Sequence, residues 1–402
     1  MPVLSKPVWD MITAPIIAII KDALSGDAQK SDSSDDTPRS AKKVTILGGG
    51  PVGFAMAVFL QYHGFKVIIW SDVDHSSSTN ALRESGVLEA MGDVVSGSFK
   101  PHTTVFLPTA LSFSNIVIST IPSHGQDKLM QRLAENDMSK HYLLHIIGNL
   151  VAPANRDVWK SGKRPAYQAE LSTSPMNVRM PDGKVFIKGL KHRLVIATWP
   201  IDAPDDVKQI FESILPQKPT WLPNVLDVFA LGVPAIAHVF TFMHSLAWAE
   251  ATNGDYYFYG DAMATPSMGK LLVAGRKEWN DIFREYNCPV EDIEKTFNKN
   301  FNTNFVDISD FAKNTVPHNL TLGAPKSADH RYMTQDIPFG IVPAVHLASP
   351  VGKSAPLFGS YVVQGNTIHD ADFMATGRNL TRGMTGNIKE AVLALVNMKA
   401  DE

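Results

Sequence analysis

Arg331 and Asp336 stand five positions apart in an otherwise apolar stretch late in the chain, Arg331-Tyr-Met-Thr-Gln-Asp-Ile-Pro-Phe-Gly-Ile-Val342. Charges in such surroundings need partners, or they bind something charged. Arg331 is a candidate grip for a carboxylate, because a guanidinium fork offers two parallel hydrogen bonds. Proton transfer without a metal calls for a group that titrates near neutrality, and an unperturbed imidazole does so at about 6.5. His238, His244 and His346 compete for that part on equal terms. A histidine on an apolar helical face such as Pro234-Ala-Ile-Ala-His238 is more often packed than reactive.

A second set of residues suits a dinucleotide. Gly48, Gly50 and Gly53 form G-x-G-x-x-G between the strand-like run 43–47 and the helical pattern 54–63, and a second strand-like run, 66–70, follows. In that context the first glycine permits a tight turn, the second lets a pyrophosphate approach the backbone, and the third allows close helix–strand packing. Helix N-terminal amides then hold the phosphate, which makes NAD(P)H the expected cofactor. The residue after the second strand reads the adenosine ribose. Ser71 occupies the usual acidic position and Asp72 lies one later, so NAD and NADP stay open, and Asp72 is either a ribose ligand or a solvated loop residue. His124 follows the strand-like run 115–120 and is a further candidate for the cofactor crevice.

These groups need a scaffold. Strand-like 115–120 and 142–147 flank a helical pattern at 126–135, and the alternation predicts a doubly wound α/β arrangement up to about residue 220. Beyond it, 225–251 and 268–286 show helical spacing and the strands cease. The expected fold is an α/β N-terminal Rossmann-type doubly wound domain, 43–222, plus an all-α C-terminal domain, 223–402. Pro219, Trp221 and Pro223 mark the boundary. Residues 3–24 read as an amphipathic helix. Its apolar core, 15–20, is bracketed by Asp10 and Lys21 and is far short of the roughly 20 residues of a membrane span. It docks on this protein or a second subunit, or forms a peripheral anchor. Residues 26–42 have linker composition.

Composition excludes several classes. The chain has 402 residues, 44% hydrophobic, 19% charged, with a net charge of −3. That balance speaks against nucleic acid or an anionic membrane as partner. One cysteine, Cys288, allows no internal disulfide and fits a cytoplasmic setting. The sequence has no H-E-x-x-H, and His141 and His145 run into a strand-like segment, so no metal site is expected.

The segment 331–342 resembles the R-Y-L-T-E-D-x-P-x-G-L-V signature of the opine dehydrogenase family (octopine and nopaline dehydrogenases). Pro234-Ala-Ile-Ala-His238-Val239 is similar to the family's N-A-I-L-H-P. Glu250-Ala-Thr-Asn-Gly-Asp-Tyr-Tyr-Phe-Tyr259 is similar to E-x-T-G-G-D-F-x-F-Y, and Thr265-Pro266-Ser267 to the T-P-S that follows. The spacing between these blocks is kept, and the resemblance thereby selects His238 as the catalytic histidine and Asp336 as its partner. It assigns Arg331 to a substrate carboxylate. Glu170-Leu-Ser-Thr-Ser-Pro175 with Arg179 resembles E-x-x-x-x-P-x-x-x-R, which makes Glu170 a ligand for a cationic group of the amino substrate, or else an ordinary surface carboxylate. Asp372-Phe373 and Gly377-Arg378-Asn379-Leu380 resemble the closing D-F and G-R-T-L. Pro234, Val239, Ser245, Ala247 and Gln335 depart from the family's usual Asn, Pro, Asn, Gly and Glu.

The resemblance covers residues 43 to about 390 and implies an NAD(P)H-dependent condensation of an amino acid or amine with an α-keto acid such as pyruvate, by hydride transfer to an imine, in a monomer or homodimer. It also implies a C-terminal domain like that of 6-phosphogluconate dehydrogenase. The alternatives are a 2-ketoacid reductase of the ketopantoate or hydroxyacid type and a non-catalytic dinucleotide sensor.

Overall fold

Residues 42–400, apart from 161 and 321, are described by the computed structural model. The helix expected over 3–24 and all but the last residue of the linker expected over 26–42 lie outside them. β1 (Lys43–Leu47) is buried after its first residue, with no polar face, as a strand covered on both sides requires. α1 (Pro51–Tyr62) starts on a proline, whose missing N–H costs nothing in a first turn. β2 (Lys66–Trp70) returns parallel to β1, pairing Val67 with Val44.

The other strands are β3 (Leu88–Met91), β4 (Gly97–Phe99), β5 (His102–Thr104), β6 (Ile116–Ser119), β7 (Tyr142–His145), β8 (Tyr167–Leu171), β9 (Met176–Arg179), β10 (Val185–Leu190), β11 (Val195–Trp199) and β12 (Thr220–Trp221). Eight of them form one sheet in the order β12-β11-β8-β7-β6-β1-β2-β5, parallel except where β11 meets β8. The chain runs outward from β1 to β2 on one side and from β6 to β7 on the other. That reversal is the switch point at which the carboxyl ends of the strands leave a crevice. α2 (Ser123–Leu133) leaves β6 over this crevice.

The α/β reading holds for this sheet, but it missed a second one, β4-β3-β10-β9. Those strands are short, and the pairing of β10 with β9 slips between Ile187 and Gly189, so no sustained alternation marks them.

After β12 every described element is helical, as expected. The stretch 225–251, read as having helical spacing, forms two helices, α3 (Val225–Ala230) and α4 (Pro234–Thr252), separated at Gly232. Pro234 has no N–H to continue the ladder of α3 and fits only in a new first turn. By length and composition Val225–Thr252 is apolar enough to cross a membrane, but 83% of its most apolar window is buried inside the protein. α3, α4 and α5 (Pro266–Arg284) share one core with Ala197 and Trp199 of β11, which seats the helices on the sheet. Arg378 adds a polar tie. Its Nη1 donates to the carbonyls of Gly148 and Asn149, 2.9 Å each, and to Gln126, and its Nη2 lies 2.9 Å from Asp127.

Candidate active site

A cleft of about 1340 Å³ runs from the carboxyl ends of β1 and β6 to the start of α4. It exceeds the roughly 300–1,000 Å³ of a usual small-molecule site, which leaves space for a dinucleotide and a substrate together. The three motif glycines line or support one end. Gly48 has φ +122°, and a Cβ there would lie 2.5 Å from the Thr120 hydroxyl; a Cβ on Gly53 would lie 2.0 Å from the Gly48 carbonyl oxygen. Both are needed by the turn itself. Gly50 has ordinary extended backbone, and its Cβ would meet nothing within 4 Å. Its free side faces the place from which a pyrophosphate would approach the uncapped N-terminus of α1, so these residues fit a dinucleotide. Gly50→Val is therefore expected to fold with an unchanged Tm and to bind NAD(P)H at least tenfold more weakly. Normal binding by the folded variant, measured by fluorescence titration, would exclude the turn as the site.

The ribose end is more specific than the sequence suggested. Ser71 is buried, lines the cleft and has a hydroxyl with no partner. Asp72 is not a free acceptor: Oδ2 lies 2.6 Å from Arg132 Nη1 and 3.9 Å from Lys128, and Oδ1 caps the Asp74 N–H. Removing Asp72 releases two cations at this end as well as a repelling carboxylate. Asp72→Ala should shift the kcat/KM ratio towards NADPH, and an unchanged ratio would mean that the 2′ position lies elsewhere. His124 lines the same end, where partial burial of the ring and then His75 hold its imidazole below the usual range.

At the other end, His238 lies one turn into α4 and is 9% exposed. Its Nδ1 is 2.7 Å from Asp336 Oδ2. Asp336 stands between α6 (Arg331–Thr334) and a π-helical turn, Ile337–Ile341, that packs on the start of α4. A Cβ on Gly340 would lie 2.5 Å from that of Ala235, so this close approach depends on glycine. Tyr332 stacks on the imidazole with centroids 3.9 Å apart and planes 18° apart. The ring is thus held on one nitrogen and one face, and Nδ1–H donating to the carboxylate leaves the Nε2 lone pair for chemistry. Burial pushes the His238 pKa down; the Asp336 bond and charge oppose this, and Arg331 and Lys191 reinforce it. The net shift is downward, so His238 is neutral at pH 7 and ready to take a proton. His244 instead bonds the Phe240 carbonyl through Nδ1, and His346 bonds that of Met374; neither lines the cleft.

Arg331 also lines this end. The segment around it is buried, but Arg331 itself is exposed at the start of α6, with its guanidinium 5.3 Å from the centroid of the Tyr332 ring. No carboxylate lies within 4 Å of it among the described residues, that of nearby Asp329 included, so no ion pair ties it into the fold. Glu170 is neither a surface carboxylate nor an open ligand. It is 1% exposed, and its two oxygens accept from the N–H groups of Leu150 and Ala152 at 2.8 and 2.9 Å. Burial pushes its pKa up to about 7, against the pull of those donors and of Arg378. Its contacts hold the 148–152 turn in the cleft wall, which contradicts a carboxylate standing free for a substrate cation. Sequence reasoning gave no role to Tyr332, Arg179 or Arg378, although each stands in a quoted motif, and it overlooked Lys191, for which no local signal exists.

Residues 221–369 match the family model for the NAD/NADP octopine/nopaline dehydrogenase, alpha-helical domain. Protein ocs of Agrobacterium vitis is 25% identical over 84% of this chain and 94% of its own length. Opine dehydrogenase of Arthrobacter sp. (strain 1C) is 22% identical over 86% of this chain and 96% of its own. Octopine dehydrogenase solved with NADH and L-arginine superposes with a TM-score of 0.68 and 16% identity, covering 89% of this chain and 98% of that one, a likeness of fold.

Proposed function

We propose, from the match of residues 221–369 to the octopine/nopaline dehydrogenase family model and from relatives 22% and 25% identical along most of the chain, that this protein is an NAD(P)H-dependent oxidoreductase of the opine dehydrogenase family, acting on CH–NH bonds. It condenses an α-keto acid such as pyruvate with an amino acid or related amine and reduces the resulting imine to a secondary amine dicarboxylate. The observation that carries this reading is the His238–Asp336 pair, buried in the same cleft as the glycine turn and Arg331.

Bound at the turn between Gly48 and Gly53, NAD(P)H supplies the hydride. Arg331 fixes the keto-acid carboxylate through two N–H donors. His238, neutral, takes a proton at Nε2 from the incoming ammonium, which frees the nitrogen lone pair to attack the keto carbon. Asp336 keeps the ring in place and stabilises the imidazolium. The proton then leaves with the departing hydroxyl as water. The sum is keto acid, amine, NAD(P)H and one proton to secondary amine, NAD(P)⁺ and water. Residues 43–222 act as the cofactor domain and 223–402 as the substrate domain, and binding both ligands closes the cleft between them. We place the enzyme in the cytoplasm, as a monomer or homodimer, with the buried thiol of Cys288 free.

The test is NADH and NADPH oxidation with a keto acid, with and without amino acids. Amine-dependent oxidation supports the proposal. Oxidation with keto acid alone would make the protein a 2-ketoacid reductase, and tight cofactor binding without turnover would make it a sensor.

A further inference from the structure

Shortly after β7 the chain turns at 147–150, and three non-glycine residues there have positive φ: Ile147 at 64°, Asn149 at 53° and Leu150 at 64°. Asparagine tolerates that conformation, but branched and bulky side chains avoid it. Such a shape persists where its surroundings impose it, and it is concentrated at sites of function. Here it is imposed from two sides. Glu170, on β8, accepts from the N–H groups of Leu150 and Ala152. Across the turn, Gln126 of α2 donates to the Ile147 carbonyl at 2.9 Å, and Arg378 Nη1 donates to the carbonyls of Gly148 and Asn149. Both charged side chains are buried.

Two observations connect this turn to the chemistry. First, Ile147 and Asn149 line the cleft. The adenosine ribose belongs at the end of β2 and the pyrophosphate at the glycine turn after β1. A dinucleotide that spans the switch point then carries its nicotinamide towards the carboxyl ends of β6 and β7, the next strands in the sheet. Neighbouring strands are about 4.8 Å apart, so β7 lies about 10 Å from β1, within reach of the same cofactor. Second, Arg378 is joined to the proton-transfer pair. Its N–H donates to the Pro338 carbonyl at 2.9 Å, two residues past Asp336, and its guanidinium lies 5.1 Å from the centroid of the Phe339 ring. A single residue of the helical half thus touches both the segment that carries Asp336 and the turn after β7.

We propose that Arg378 and Glu170 are positioning residues that hold the 147–150 turn as the seat of the nicotinamide ring, and that Arg378 sets the hydride donor in register with His238. The inference rests on the NAD(P)H-dependent opine dehydrogenase reading. Neither residue touches a reacting atom; each acts through the backbone of the turn.

ADP-ribose shares the adenosine, pyrophosphate and second ribose of NADH and lacks the nicotinamide, so it separates the seat from the rest of the site. Calorimetric titration with NADH and with ADP-ribose compares the unaltered protein with Arg378→Lys and Glu170→Gln; NADPH and 2′-phospho-ADP-ribose take their place where NADPH binds more tightly. Lysine keeps the charge and loses the planar fork. Glutamine keeps the shape and turns an amide NH₂ towards one backbone N–H. Each variant should bind ADP-ribose as before and NADH about tenfold more weakly. Turnover should fall about 10- to 100-fold, the effect of a misplacement of about 1 Å. Asp127→Asn removes only the charge of a half-exposed partner of Arg378 Nη2, and it keeps the test open where a buried substitution prevents folding. It should show the same split on a smaller scale. Equal weakening of both ligands, or unchanged NADH affinity in the folded variants, would overturn the inference. Selective loss of NADH binding in the variants, with no amine-dependent oxidation by the unaltered protein, would keep the seat and remove the opine reading. Amine-dependent oxidation by the unaltered protein, with NADH and ADP-ribose weakened alike in the variants, would do the reverse.

Discussion

His238→Ala is expected to lower turnover by about 10²–10⁴-fold, the range for loss of a general acid/base, with NAD(P)H affinity nearly intact because the glycine turn that holds the pyrophosphate is not touched. Asp336→Asn should also cost heavily, since an amide neither fixes the Nδ1–H tautomer as firmly nor supports the imidazolium. The double variant should be little worse than the worse single one, because residues that act as a unit are non-additive. Fully additive losses would separate the pair. The pH profile adds a readout that a merely structural role would not move. Proton acceptance needs neutral His238, so kcat/KM should rise with pH through a value below about 6.5 and be level at pH 7. Asp336 raises the His238 pKa; without its charge that pKa falls further, and the acid limb should move to lower pH. A limb that stays in place or moves up would contradict the 2.7 Å pairing as a catalytic one.

Arg331→Lys keeps the charge and loses the two-point grip. In a closed site that loss is worth roughly 2–4 kcal/mol, or about 30- to 700-fold in keto-acid KM. NAD(P)H affinity should hardly change. Neither should the melting temperature, because Arg331 is exposed and makes no ion pair among the described residues. A fall in Tm without a change in KM would remove Arg331 from the site.

What was legible in the sequence is what is local. The glycine turn announces itself because strand, turn and helix are contiguous, and the end of the sheet near 220 shows where alternation stops. The pairing of His238 with Asp336 spans 98 positions and has no spacing rule; only the resemblance joined them. Glu170 was read as a ligand for a substrate cation or a surface carboxylate; its actual partners, the N–H groups of Leu150 and Ala152, come from a turn about 20 residues earlier and leave no local signal. The second sheet stayed hidden because its three- to six-residue strands carry too few alternations. Lys191 is an ordinary lysine in sequence, and its burial in the cleft wall beside the Phe301 ring exists only in the folded chain.

In the proposed reaction one product contains both carbon skeletons, joined through the amine nitrogen. The direct measurement is mass spectrometry of the product formed from a keto acid, a ¹⁵N-labelled amino acid and NAD(P)H deuterated at the transferable position. The predicted result is a secondary amine dicarboxylate carrying one ¹⁵N and one deuterium, the deuterium on the former keto carbon. A deuterated 2-hydroxy acid without nitrogen, formed at the same rate with or without the amino acid, would contradict it.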